Sequence, residues 1–119
     1  MPDSAVYTFL SKGNIPEFHP ELVGIENSVI PDPRQLNHSM HLASAMSSFG
    51  LQEPEFTNYT LNFQGTLDYI WYTPSFFNID TILLLPQEVE ILKLGQALPN
   101  AVLPSDHLLL SCDFSLNTG

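Results

Sequence analysis

The chain has 119 residues, of which 44% are hydrophobic and 13% are charged, so it can bury the core of one small domain and is not a disordered tail. Thirteen acidic residues against three basic ones give a net charge of −10, so either the chain does not bind nucleic acid or a basic groove lies on sequence outside it. Because the amino terminus lacks signal-peptide character and no apolar run could span a bilayer, we expect an intracellular protein, cytoplasmic or mitochondrial, that does not enter a membrane.

The first element is a predicted short helix. Asp3 or Ser4 can cap a helix that runs to about Lys12, and Gly13 is a typical stop signal. Three apolar residues recur at helical spacing, which predicts that they share one face packed on a core: Val6, Phe9 and Leu10.

The next two segments show less regular patterns. Asn14 to Arg34 is rich in Pro, Glu and Asn with little periodicity, which predicts a long surface loop. Leu36 to Phe49 is compatible with a short helix or with an extended chain.

The second half of the chain favours strands. Four segments are predicted to be extended because they are rich in aromatic and branched residues and bounded by Pro or Gly: Glu55–Thr60, Leu67–Tyr72, Phe77–Leu85 and Leu108–Leu116. Gln87–Lys93 is predicted to be a short helix, and Leu94–Pro104 a loop. Long apolar runs are typical of strands covered on both faces, yet one helix and about four strands cannot cover both faces of a sheet.

Two polar steps interrupt these apolar runs. Asp68 stands inside a strand that should be largely buried, where a carboxylate is costly unless it is paired or hydrogen-bonded. It could cap a neighbouring turn, or it could hold a histidine in one tautomer, and His107 is then the obvious partner. Asp106 and His107 come just before the run Leu108–Leu110, at a strand end of the kind that often carries active-site residues.

The remaining polar and aromatic candidates are individually weaker. Phe63 lies in a probable turn before Gly65, where it could stack on a base or fold over the sheet edge. Cys112 fits a buried small hydrophobe better than a nucleophile. Three histidines lack metal-ligand spacing and are predicted to be surface or hydrogen-bonded residues: His19, His38 and His41.

Several motifs together resemble one family. They are Pro2–Tyr7 through Gly13, His19–Leu22, Glu53–Thr60, Phe63–Ile70, and Gln96–Pro99 running into Pro104–His107. Taken together they resemble the C-terminal half of the endonuclease/exonuclease/phosphatase superfamily domain, in its branch of carbon-catabolite-repressor-type deadenylases and 2′,5′-phosphodiesterases. The segment from Gln96 to Pro99 is most similar to the 2′,5′-phosphodiesterase side.

The resemblance implies a role for each matching residue. His107 would contact the scissile phosphate and Asp68 would orient it, while Asp106 would lie by the divalent metal and the attacking water. Phe63 would stack the terminal adenine, and Asn58 would be a second substrate-binding residue. The implied reaction is Mg²⁺-assisted hydrolysis of RNA, either poly(A) or 2′,5′-linked oligoadenylate.

The resemblance also implies that residues 1–119 are an incomplete domain. The metal-binding Glu and the Asp-x-Asn pair of the family have no counterpart in the chain, so we expect it to bind Mg²⁺ poorly and to lack activity alone. The implied fold is a partial four-layer α/β sandwich of the DNase I-like kind, mainly one β-sheet with its covering helix, whose exposed apolar face would favour association. The alternative is a non-catalytic remnant or binding module of the same fold.

Overall fold

A computed structural model describes residues 1–24, 32, 35–50 and 52–118. Helix α1 spans Ala5–Lys12, and the Ser4 hydroxyl caps it by accepting a hydrogen bond of 3.1 Å from the Tyr7 amide. Gly13 ends the helix with φ of +82°, in the left-handed region where a side chain is disfavoured. The predicted helix and both of its end signals are confirmed.

The predicted apolar face of α1 is only partly correct. Phe9 packs against a small cluster formed by Ala5, Ile15 and Leu22, as expected of a core-facing residue. Val6, in contrast, is 67% exposed. Ala5 is the buried residue of α1. The side of α1 that faces the core is therefore rotated away from Val6.

The predicted surface loop after α1 contains regular structure. A short 3-10 helix spans Pro20–Leu22, and both Ile15 and Leu22 are buried. The expectation of a surface loop is therefore only partly correct for this part: most of its described residues are exposed, while Ile15 and Leu22 close the cluster beneath α1. The rest of the loop, apart from Asp32, lies outside the described residues.

The strands form three antiparallel pairs within the described residues. Strand β1 (Ala43–Ser44) pairs with β4 (Trp71–Tyr72), and β2 (Asn58–Tyr59) pairs with β3 (Gln64–Gly65). The longest pair joins β5 (Phe77–Ile82) to β6 (Cys112–Leu116), with a break in register between Ile79 and Thr81. Helix α2 (Ala45–Ser48) follows β1 directly, so Leu36–Phe49 contains both a strand and a helix.

The strand predictions hold in position and differ in extent. The β5–β6 pair confirms the two later strands, whereas Glu55–Thr60 and Leu67–Tyr72 each shorten to two paired residues. In the second segment, the backbone amides of Leu67 and Asp68 donate to a side chain, the Thr57 hydroxyl, instead of to a neighbouring strand. These two amides are therefore not available for pairing with another strand. In place of the predicted single sheet, the described residues form three small sheets.

Helix α3 (Glu88–Leu94) confirms the prediction for Gln87–Lys93. Its N-terminus carries a capping box, in which Gln87 and Glu90 each satisfy the other's backbone amide. Ile91 on this helix is fully buried in the larger core, whose other members are Phe56, Tyr59, Ala97, Leu98 and Leu108. This core fixes strand β2 against the segment that carries His107.

The molecule is flatter and more exposed than its size predicts. Its extents are 46 × 45 × 20 Å, and its radius of gyration is 16.9 Å, against about 13.5 Å for a compact chain of this length. Its accessible surface is 8047 Å², against roughly 6,450 Å² for a folded monomer of 13.3 kDa. The helices and strands place the structure in the α/β class. Its large accessible surface includes many exposed apolar side chains.

Candidate functional site

The centre of the site is an ion pair between residues far apart in sequence. The His107 Nδ1 atom lies 2.7 Å from the Asp68 Oδ2 atom, across a separation of 39 residues. The two side chains are 43% and 38% exposed, so both are open to solvent and to a ligand. The predicted contact between the two side chains is confirmed, while the expectation that Asp68 is largely buried is wrong, since its side chain is open to solvent.

His107 is held in place by backbone contacts to β2. Its own amide donates to the Ser105 hydroxyl at 3.0 Å, and its backbone forms an isolated antiparallel bridge with Asn58. On either side of it, the Tyr59 amide donates to the Asp106 carbonyl at 3.1 Å and the Leu108 amide donates to the Thr57 carbonyl at 2.7 Å. The residue therefore extends the β2–β3 hairpin as a third, short row.

The backbone of Asp68 is fixed by Thr57, the residue that directly precedes β2. The Thr57 side chain is fully buried, and its Oγ1 atom accepts hydrogen bonds from the amides of Leu67 at 2.9 Å and Asp68 at 3.0 Å. Thr57 thus contacts the backbone at both halves of the ion pair. Its place in the segment Glu53–Thr60 was visible in the sequence, but a lone threonine gives no pattern that reveals such a role.

The electrostatics of the pair favour a charged imidazole. The hydrogen bond that the Asp68 carboxylate accepts raises the pKa of His107, partial desolvation opposes this, and the negative charges of Asp68 and Asp106 raise the pKa further. Because Nδ1 faces the carboxylate, it carries the proton, which leaves Nε2 as the free edge of the ring. The protonated ring can therefore donate a hydrogen bond from Nε2 to an anion.

Asp106 lies beside the pair and is held by an amide. The Nδ2 atom of Asn58 donates to the Asp106 Oδ2 atom at 3.2 Å, and Asn58 itself is only 5% exposed. In this arrangement Asn58 orients Asp106. A direct contact of Asn58 with substrate remains a prediction.

Phe63 is presented at the tip of the β2–β3 hairpin. The Thr60 hydroxyl accepts from the Phe63 amide at 3.1 Å, and the Thr60 amide donates to the Phe63 carbonyl at 2.7 Å, which closes the turn. The Phe63 ring is 42% exposed and lies over Gly65, where an added Cβ would come within 3.0 Å of the ring. Gly65 pairs with Asn58, and Asn58 pairs with His107, so the backbone of Gly65 beneath the ring lies about two strand spacings, or about 10 Å, from the backbone of His107.

An aromatic hollow of about 560 Å³ borders Asp68 on its other side. The rings of Tyr7, Tyr69 and Trp71 pack with centroids 5.1 to 5.7 Å apart, and the Tyr7 hydroxyl donates to Glu53 at 2.6 Å. Burial, followed by the charges of Glu53, Asp3 and Asp68, raises the pKa of Tyr69 to about 12. Both tyrosines are therefore neutral at physiological pH and serve as hydrogen-bond donors.

The described residues do not form a complete metal site. Within residues 1–24, 32, 35–50 and 52–118, no group of three or more His, Cys, Asp and Glu side chains is placed to hold an ion. Asp106 is therefore not a member of any such group in that part of the chain. No helix in the same part of the chain is long and apolar enough to cross a membrane.

The other candidate residues are accounted for structurally. The Nδ1 atom of His19 accepts from the Glu21 amide at 3.2 Å, and the Nε2 atom of His38 donates to the Phe9 carbonyl at 2.8 Å. His41 is exposed at a positive φ of 50°. Cys112 is half-buried, and burial together with Asp113 raises the pKa of its thiol, which makes it a poorer nucleophile.

Comparison with known proteins supplies relatives over nearly the whole chain. No family model matches. The chain is 39% identical over 119 residues to the CCR4-Not complex 3′-5′-exoribonuclease subunit Ccr4 of Coccidioides immitis, covering 98% of this chain and 15% of that protein. It is 33% identical over 132 residues to carbon catabolite repressor protein 4 homolog 1 of Arabidopsis thaliana (96% and 22%), and 34% identical over 114 residues to the Ccr4 subunit of Schizosaccharomyces pombe (95% and 16%). The chain therefore spans less than a quarter of the length of these relatives.

Proposed function

We propose that this chain, which belongs by sequence to the carbon catabolite repressor protein 4 family, carries the phosphate-contacting part of a 3′-to-5′ exoribonuclease site. The observation that carries the proposal is the 2.7 Å contact of His107 with Asp68 beside an exposed aromatic ring. The relatives supply the reaction class, since one of them is named as a 3′-5′-exoribonuclease subunit. A DNase I-like sandwich, of which these elements would be one part, is the fold that the proposal implies.

Protonation of His107, which the neighbouring Asp68 favours, would suit this residue to an RNA phosphate. A protonated imidazole that is held by a carboxylate can donate from Nε2 to a phosphate oxygen and stabilise negative charge that develops there. Asp68 fixes the ring so that this edge faces outward, and both residues are accessible to solvent. The pair thus binds and orients the scissile group.

Phe63 supplies the second contact that the proposal requires. Its ring lies over Gly65, whose backbone is about 10 Å from that of His107, and we expect a single terminal nucleotide to reach both side chains. Stacking of a base on an aromatic ring contributes about 1–3 kcal/mol and is tolerant of sequence. An adenine-rich 3′ end or a 2′,5′-linked oligoadenylate fits this arrangement, and the contacts do not distinguish the two linkages.

We expect Mg²⁺ dependence to need ligands in addition to Asp106. Because the described residues contain no group of three metal-binding side chains, the chain on its own is expected to hydrolyse no RNA. The same finding favours the alternative of a non-catalytic binding module that kept the fold. An intracellular location, in the cytoplasm or the mitochondrion, remains part of the proposal.

A chimeric enzyme tests the function directly. Residues 1–119 would replace the matching segment of the Coccidioides immitis Ccr4 subunit, and hydrolysis of labelled oligoadenylate RNA would be measured. We expect a working chimera in which His107→Ala lowers turnover about a hundredfold or more, because a charged donor to the phosphate is lost. Phe63→Ala should raise KM about tenfold through loss of stacking.

The matched control is His41→Ala in the same chimera, because His41 is an exposed histidine outside the site. It should leave turnover unchanged. A chimera that folds, binds RNA and shows no turnover would overturn the exonuclease proposal in favour of the binding module. Equal activity of the His107→Ala and unmodified chimeras would remove His107 from the site.

A further inference from the structure

We propose that Thr57 is the positioning residue that aligns Asp68 with His107, acting through its buried hydroxyl. This inference deepens the proposed function, since the role it assigns matters only if the Asp68–His107 pair acts on substrate. Its structural content is independent of any activity.

The hydroxyl of Thr57 is placed to fix the backbone of Asp68. The Oγ1 atom accepts from the Leu67 amide at 2.9 Å and from the Asp68 amide at 3.0 Å, and the Thr57 side chain is inaccessible to solvent. No water can therefore replace either contact, and removal of the hydroxyl would leave two donors without an acceptor. The Asp68 backbone would then have to move to satisfy its amide.

The carbonyl of the same residue fixes the other half of the pair. The Leu108 amide donates to the Thr57 carbonyl at 2.7 Å, directly after His107. A single buried residue thus sets the positions of two segments that are 39 residues apart and whose side chains meet at 2.7 Å. Since the hydrogen bond between Asp68 and His107 depends on a few tenths of an ångström, this common anchor keeps the pair in register.

Substitution by valine separates the two roles of Thr57. Valine keeps the branched shape and the backbone carbonyl, so the contact with Leu108 is retained and only the hydroxyl is lost. Serine keeps the hydroxyl and loses one methyl group. The pair of variants Thr57→Val and Thr57→Ser therefore isolates the effect of the hydroxyl.

Thr66 provides a matched control in the same part of the fold. It is a threonine of 2% exposure whose hydroxyl donates to the Pro54 carbonyl and does not contact Asp68. Thr66→Val removes a buried hydroxyl of the same kind. A loss of stability common to both valine variants is thus separated from a loss of alignment specific to Thr57.

The experiment measures the chain of 119 residues by NMR, without RNA or metal. The ring-nitrogen shifts of His107 report whether Nδ1 is the hydrogen-bonded, protonated atom, and the amide of Asp68 reports its own hydrogen bond by exchange with solvent. In Thr57→Val we expect Asp68 amide exchange to speed up about tenfold or more relative to the amide of Phe114. We also expect the His107 ring to lose its Nδ1-bonded signature.

Thr57→Ser should restore both signals, and Thr66→Val should leave both unchanged relative to the Phe114 reference. An unchanged His107 signature in folded Thr57→Val would overturn the proposal, since Thr57 would then be merely structural. If Thr57→Val does not fold, the unmodified chain and Thr57→Ser decide the question. An Asp68 amide that exchanges as fast as an unprotected peptide in both would overturn the proposal, and protection in both would support it.

These outcomes do not depend on the proposed function. An inactive chimera would leave the NMR result standing as a property of the fold. Thr57→Val could also lose the alignment of the pair and yet be fully active in the chimera. That result would contradict only the functional importance of the alignment.

Discussion

The contact of Asp68 with His107 shows what a single carboxylate does when it is only half-buried. The carboxylate accepts a hydrogen bond from the ring at 2.7 Å and remains 38% exposed, so its desolvation cost is small. The histidine gains a charged partner and keeps a free edge. The pair is consequently suited to contact a ligand rather than to stabilise a core.

Replacing Asp68 by asparagine should lower the pKa of His107. The largest cause of the raised pKa is the hydrogen bond that this carboxylate accepts from the ring, and its negative charge acts in the same direction. The stabilisation that the pair gives the fold is fully present below the unfolded histidine pKa of about 6.5, and is lost as the pH rises through the higher folded pKa. NMR titration of the His107 ring in the two proteins measures the shift.

The control for this titration is Asp80→Asn, which removes a carboxylate that accepts from Ser115 in the β5–β6 pair. It should leave the titration of His107 in place. An Asp68→Asn variant whose His107 titrates as in the unmodified chain would contradict the assignment of the pair.

At the level of elements, the helix ends obey local rules and the strands do not. Helix α1 is capped locally by Ser4, the residue that directly precedes it. The Glu21 carboxylate, which is distant in sequence, adds a second contact by accepting from the Ala5 amide at 2.7 Å. Strand extent depends instead on which groups compete for the backbone amides. The Thr57 hydroxyl accepts hydrogen bonds from two amides in Leu67–Tyr72, although the composition of that segment predicted that its amides pair with a neighbouring strand.

Ser4→Ala should lower the free energy of unfolding by about 1 kcal/mol, because the Tyr7 amide loses its cap. The measurement is urea unfolding followed by circular dichroism. Ser11→Ala is the control in the same helix, where the serine hydroxyl donates to the Tyr7 carbonyl one turn earlier. That change should be neutral or slightly stabilising, since alanine is the better helix former. Equal effects of the two substitutions would show that Ser4 does not act as a cap.

The whole molecule exposes more accessible surface than a folded monomer of its size, and large apolar side chains are part of that surface. Leu84, Leu109 and Leu116 are 69%, 73% and 68% exposed, while the net charge of −10 opposes contact between copies. Apolar attraction acts at contact, whereas charge repulsion acts at a distance and is screened by salt. The balance between them should therefore depend on ionic strength.

We expect concentration-dependent association that increases with salt, measured by sedimentation velocity. The double variant Leu109→Lys and Leu116→Lys should shift the chain toward monomer. Leu61→Lys is the control, because Leu61 is 74% exposed in the β2–β3 turn, away from the β5–β6 pair. A monomer at every concentration and salt tested would contradict the prediction.

The sequence by itself determined the local features and the likeness to the carbon catabolite repressor protein 4 relatives. The cap at Ser4, the stop at Gly13 and the capping box at Gln87 are set by side chains within a few residues of the backbone groups that they satisfy, so they could be predicted. The pairing of Asp68 with His107 was one of two alternatives that the residues left open, and the resemblance of motifs favoured it. The sequence pattern did not reveal the exposure of Asp68 or the extent of its strand.

Only the tertiary structure decided how the site is held. The meeting of Asp68 with His107, the capture of two amides by Thr57 and the hold of Asn58 on Asp106 all join residues that lie 10 to 48 positions apart. Such contacts depend on how the core around Phe56 and Leu108 packs, which no local pattern encodes. The identity of each residue limits what it can bond, and the packing of distant segments decides which bond it makes.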